Sequence, residues 1–157
     1  MTTVEPNEAP DPRGRAYRGE RISVYYDARR CLHFAECVRG LHEVFDVNAR
    51  PWIQPDNTEA ERVAEVVRRC PTGALHYELT DGPAEEQPGP TRVQAVEDGP
   101  LLLRGDLLLE TPVGELRDVR AALCRCGLTA NQPFCDHACK RAGWHSTAVA
   151  RSPDQHD

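Results

Sequence analysis

The chain has 157 residues, of which 39% are hydrophobic and 6% aromatic, with thirteen prolines, eleven glycines and seven cysteines. Such a composition builds only a thin apolar core, so one or two small modules stapled through their cysteines are expected. A net charge of −6 excludes a broad basic field for nucleic acid or acidic membrane surfaces, and no apolar run is long enough to cross a bilayer.

In chain order, residues 1–20, "MTTVEPNEAPDPRGRAYRGE", are polar and proline-rich and read as a disordered arm without the apolar stretch of a secretion signal. The expected setting is therefore cytoplasmic and reducing, where clustered cysteines are more often metal ligands than disulfides. "RISVYYD" predicts a strand with Ile22, Val24 and Tyr26 on one face, and a short helix is expected over Glu36 to Phe45. "NTEAERVAEVVRRC" predicts a helix capped by Asn57 or Thr58, with Val63, Val66 and Val67 inward, and "ALHYEL" predicts a further strand.

The stretch Leu79 to Pro90, "LTDGPAEEQPGP", loses every hydrophobic period and reads as a linker. It divides a module at 21–79 from one at 91–148, with the linker at 80–90 and a polar tail at 149–157. In the second module "TRVQAV", "LLLRGDLLLE" and "ELRDVRAAL" predict strands, the middle one folding as a hairpin at Gly105. That turn also accounts for the "RGD" at Arg104 to Asp106 without an adhesion role. The fold class is α+β, a small α+β module followed by a mostly β one.

"CRCGLTANQPFCDHAC" places Cys124, Cys126, Cys135 and Cys139 within sixteen residues. Cys135 and Cys139 stand four apart, so a short helix, capped by Asp136 and ended by Gly143, turns both toward one centre. Spacing alone leaves zinc and iron–sulfur open, since zinc sites usually use C-x₂-C pairs. His137 is a competing fourth ligand, but two residues from Cys135 on a helix it faces elsewhere. Upstream, Cys31 and Cys37 form C-x₅-C and Cys70 precedes Pro71. A ferredoxin loop has a further cysteine where Phe34 stands, so three thiolates remain for a [3Fe–4S] cluster, or for a [4Fe–4S] cluster completed by His33 or an outside ligand. Three inert buried cysteines are the alternative.

The downstream loop resembles the CDGSH iron–sulfur family, whose pattern is C-x-C-x₂-[ST]-x₃-P-x-C-D-G-[SAT]-H. Cys124, Cys126, Thr129, Pro133, Cys135 and Asp136 are in register, and "KRAGW" at Lys140 to Trp144 resembles the family's continuation. The resemblance implies a [2Fe–2S] cluster and, for chains with one motif, a homodimer. His137 takes the family's glycine position and Cys139 its histidine ligand position. Thiolate for imidazole adds negative charge, which lowers the potential toward all-cysteine values and removes a protonation switch. The stretch from "YYDARRC" to "CPTGALHYE" resembles the divergent mono-cluster ferredoxin domain, and more loosely the [3Fe–4S] ferredoxins that serve cytochromes P450. The first resemblance implies [4Fe–4S], with His33 as the candidate fourth ligand.

No phosphate loop and no nucleophile with a paired base accompanies the cysteines; His42, His76, His145 and His156 show no catalytic pattern. The expected function is that of a two-cluster protein without a catalytic site, passing single electrons between partner oxidoreductases such as a reductase and an oxygenase. Cluster storage, transfer or redox sensing is the alternative, and a zinc-binding interaction module the third reading.

Overall fold

A computed structural model describes residues 11–87 and 89–146. Two three-stranded antiparallel sheets divide the chain. In the first, β1 (Arg15–Tyr17), β2 (Ile22–Tyr26) and β3 (Leu75–Leu79) lie in that order; in the second, β4 (Arg92–Ala95), β5 (Leu101–Thr111) and β6 (Gly114–Leu123) do. Among the described residues three helices accompany them: α1 (Glu36–Gly40), α2 (Ala60–Arg68) and α3 (Ala138–Arg141). The α+β class holds. Among the described residues no helix is long and apolar enough to cross a membrane.

The first core forms where α2 lays Val63, Ala64, Val66 and Val67 on the face of β2 and β3 that carries Ile22, Val24, Leu75 and Tyr77. The i, i+3, i+4 spacing of the helix valines fixes that face. The expected cap does not form: Glu59 holds the N-cap position without a side-chain bond. Asn57 instead lies in a 3-10 turn at Pro55–Asn57, where its amide donates to the Glu43 carbonyl and to Gln54. The helix expected over Glu36 to Phe45 stops at Gly40, because Leu41 leaves the helical conformation (φ -154, ψ 74) and drops into the core with Val44 and Phe45. The arm expected at 1–20 also ends early, since β1 pairs Arg15 to Tyr26 and Tyr17 to Val24. Residues 1–10 and the tail at 149–157 lie outside the described residues.

In the second sheet β5 and β6 pair along nearly their whole length, from Leu101 opposite Leu123 to Thr111 opposite Gly114. The hairpin expected at Gly105 is thus a correction: β5 runs through as one strand, with a register shift between Arg104 and Leu107. Thr91 packs against that bulge so closely that a Cβ on Gly105 would meet its Oγ1 at 2.5 Å.

The two halves are locked together by buried charge. Arg120, on β6 and fully buried, donates to the carbonyls of Val67 at 2.6 Å, Cys70 at 2.8 Å and Leu75 at 2.8 Å, and pairs with Glu85. Arg104 donates to the Arg68 carbonyl at 2.7 Å. The Arg68 carbonyl at the end of α2 is thereby capped from the other half, and the Val67 carbonyl, which already accepts from Cys70 N–H, gains a second donor. In the opposite direction Arg30 reaches Asp118 at 2.6 Å and the carbonyls of Thr72 and Arg120, while His76 meets Asp118 at 2.7 Å. Glu85 lies within the stretch read as a linker, so that segment is pinned at the interface.

Asp118 gives this interface an acid limit. Burial pushes its carboxyl up, but the bond to His76 and the charges of His76 and Arg30 outweigh it and hold the pKa at about 2. A folded value below the unfolded value near 3.8 contributes stability that is complete above that value and lost as pH falls through about 2. The contribution at neutral pH is about 2 kcal/mol. The wild-type urea midpoint is expected to fall more steeply between pH 5 and pH 2.5 than that of Asp118→Asn; parallel curves would contradict this origin.

Candidate functional site

The downstream cysteines are gathered by the end of β6. Cys124 follows its last residue, and the chain returns antiparallel so that Leu123 bridges Phe134, Cys124 N–H donates to Pro133 O at 2.9 Å and Cys135 N–H donates to Ala122 O at 2.9 Å. Thr129 folds the intervening turn: its hydroxyl donates to Phe134 O at 2.6 Å and accepts from Asn131 N–H at 3.1 Å. Asp136 ties both ends, accepting from Ala130 N–H and Ala138 N–H, each at 3.0 Å.

Cys124 and Cys126 bring their sulfurs to 3.6 Å. Cys135 and Cys139 are 4% and 3% exposed, and Cys139 adjoins Cys135. The expected helix is shorter than predicted: α3 contains Cys139 but not Cys135, and His137 takes its N-cap position in a left-handed conformation at φ 64. Gly143, at φ 66, ends it as predicted, in a Schellman motif with Trp144 N–H donating to Cys139 O at 2.8 Å and Gly143 N–H to Lys140 O. Amides point at three sulfurs: Gly127 N–H at Cys124, Leu128 N–H at Cys126 and His137 N–H at Cys135, at 3.3, 3.4 and 3.5 Å.

These donors favour thiolate. At Cys124 burial opposes ionisation, but the amides of Thr129, Gly127 and Leu128 prevail and lower the pKa. At Cys126 the Leu128 amide is outweighed by burial and the adjacent Cys124, and the thiol lies above its ordinary value. Cys135 is also raised, chiefly by burial, with Cys139 and Cys124 adding to it. His137 turns away from the sulfurs, its Nε2 donating to Leu32 O at 2.9 Å in the first half.

Upstream, Cys31, Cys37 and Cys70 line one small pocket together with Tyr26, His33 and Trp52. The loop that carries two of them holds His33 and Ala35 at φ 57 and 63, positive values that non-glycine residues seldom adopt. His33 Nδ1 stands 4.0 Å from Cys31 Sγ. Burial, and then Cys70, pushes the Cys37 thiol up to about 11. Burial together with Cys31 also raises Tyr26. Trp52 closes the wall, edge-on to Tyr26 at 4.9 Å.

Comparison with known proteins follows this division. The family described as "Divergent 4Fe-4S mono-cluster" matches residues 17–80, and that described as "Iron-binding zinc finger CDGSH type" matches residues 98–138. Residues of the chain are 43% identical over 63 positions to "Uncharacterized protein YjdI" of Escherichia coli strain K12, covering 40% of this chain and 83% of the relative, and the same holds for the protein of that name in Escherichia coli O157:H7. The chain belongs to the divergent 4Fe-4S mono-cluster family. It carries a CDGSH-type iron-binding domain behind it, in the order the cysteine motifs give. No solved structure matches the chain significantly.

Both halves of this mono-cluster and CDGSH chain are iron–sulfur binding domains, and the residues present fit such a group. The upstream pocket is lined by three thiols, and the downstream loop carries four, with amides aimed at three of their sulfurs. Among the described residues no three Cys, His, Asp or Glu side chains converge tightly enough for one metal ion. The sequence reading missed Arg30, His76, Glu85, Asp118 and Arg120. Asp118 and Arg120 stand two apart on β6, a spacing that reads as a solvent face of a strand and is in fact the docking face.

Proposed function

We propose that the protein is a two-cluster, one-electron carrier acting between partner oxidoreductases, without a catalytic site of its own. Cys124, Cys126, Cys135 and Cys139 would hold a [2Fe–2S] cluster. Cys31, Cys37 and Cys70, with His33 as candidate fourth ligand, would hold a [4Fe–4S] or [3Fe–4S] cluster in a ferredoxin-like module. Bound clusters would supply reversible one-electron chemistry; the chain would supply thiolates and amide donors to sulfur, with Cys135 and Cys139 buried.

The observation that carries this reading is the thiol of Cys139, buried beside Cys135 at the CDGSH histidine position. All-thiolate ligation favours retention and a low potential over proton-triggered release. The net charge of −6 suits docking on a basic face of a reductase or oxygenase. A cytoplasmic setting and a homodimer complete the proposal, with no nucleic-acid or membrane partner. The test mixes loaded protein with an apo acceptor and, separately, cycles it with dithionite and air-oxidised mediator. Repeated reduction with iron retained supports the carrier; rapid movement of iron and sulfide to the acceptor would instead establish the storage and transfer role.

A further inference from the structure

The loops that carry the upstream and downstream cysteines touch, and the touching residues lie between the candidate ligands. Leu32, next to Cys31, packs with Ala122 and Cys135 in one small apolar cluster. Its carbonyl accepts the Nε2–H of His137 at 2.9 Å, while Nδ1 of the same ring is buried without a partner among the described residues. Asn131 donates to Arg29 O at 3.4 Å, and the Arg30 guanidinium lies 4.3 Å from the centre of the Phe134 ring.

The backbone of His137 sits in the left-handed region that favours glycine, at φ 64. A glycine would satisfy that conformation more easily. The imidazole adds one thing that glycine lacks, a bond that spans the two cysteine loops.

We infer that His137 is a positioning residue that couples the two cysteine loops, so that the hold of the upstream loop on iron depends on the register of the downstream one. The inference rests on the proposed reading of both loops as iron–sulfur sites. Movement of the Asp136 to Cys139 segment carries the His137 ring with it, and through the Leu32 carbonyl it shifts the backbone beside Cys31. In equilibrium affinity the dependence is reciprocal, because the coupling free energy between two binding sites is the same in both directions.

The test compares the loaded protein with His137→Gly and His137→Gln variants. Glycine relieves the backbone and removes the ring; glutamine restores an N–H donor of similar reach. Iron release from each site to a ferrous chelator is followed by the separate EPR signals of the two centres, alongside thermal unfolding. His137→Gly is expected to lose upstream iron about tenfold faster, the scale on which outer contacts of metal sites act, with its unfolding temperature kept. His137→Gln is expected to return release toward the wild-type rate. A Cys31→Ser change, which empties the upstream site, is expected to speed downstream iron loss in the wild-type background and not in His137→Gly. Equal upstream release from wild type and His137→Gly, with both centres loaded, overturns the coupling and leaves the two sites standing. Protein that takes up no iron and sulfide at either loop overturns both.

Discussion

Arg120→Met is expected to lower the free energy of unfolding by about 3–5 kcal/mol, the cost of breaking a buried charge pair by removing one partner. Methionine fills a similar volume, so lost packing is minor and the deficit is polar. Glu85, whose side chain is 7% exposed, loses its counter-charge and keeps only the Tyr77 amide, and the carbonyls of Val67, Cys70 and Leu75 lose the Arg120 donor. For a chain of this length the unfolding temperature should drop by about 10 °C. Arg120→Lys keeps the charge but not the forked geometry and should fall between the two. The Cys70 carbonyl is one of the groups released, so Arg120→Met should also loosen upstream iron before the chain unfolds. Differential scanning calorimetry read beside iron content checks both; an unfolding temperature within a degree of wild type would show that the interface does not hold the halves together.

Cys139→His is expected to raise the potential of the downstream centre by on the order of 100 mV or more, the direction in which histidine-ligated centres depart from all-cysteine ones. The cause would be charge: on the proposed ligation a neutral imidazole would replace a thiolate at a position where Cys139 is 3% exposed. A titratable ring would also enter the ligand set, and it would hold its proton more tightly beside a reduced centre, with one more negative charge, than beside an oxidised one. The potential should therefore rise as pH falls, by about 60 mV per unit between the two ring pKa values. The wild-type centre should be flat over the same range. Mediated redox titration from pH 6 to pH 9 measures both, and a variant with wild-type potential and no slope would mean that Cys139 is not a ligand.

Much of this organisation was legible in the residues. The valines at 63, 66 and 67 gave the helix and its buried face, and alternation gave β2 and β3. The cysteine motifs gave both loops, because Thr129, Pro133, Cys135 and Asp136 sit where one closed turn needs them. What periodicity could not reveal was decided by long-range polar contacts. Arg30, Asp118 and Arg120 look like surface charges until the second sheet docks on the end of α2, and Glu85 looks like linker until Arg120 meets it. Gly105 reads as a hairpin turn for the same reason: its neighbour in space, Thr91, is fourteen residues away in sequence. His137 could be placed against the CDGSH glycine from sequence, yet its partner Leu32 lies 105 positions upstream.

One chain is expected to hold two iron–sulfur centres in these two loops. Anaerobic purification, followed by iron and acid-labile sulfide counting with EPR of the oxidised and reduced states, tests it most directly. The expected result is a brown protein with iron and sulfide sufficient for two clusters and two distinct reduced-state signals, a sharp additional signal in the oxidised state marking [3Fe–4S] upstream. Colourless protein carrying zinc, or iron with a single signal that Cys37→Ser or Cys135→Ser alone abolishes, would contradict it.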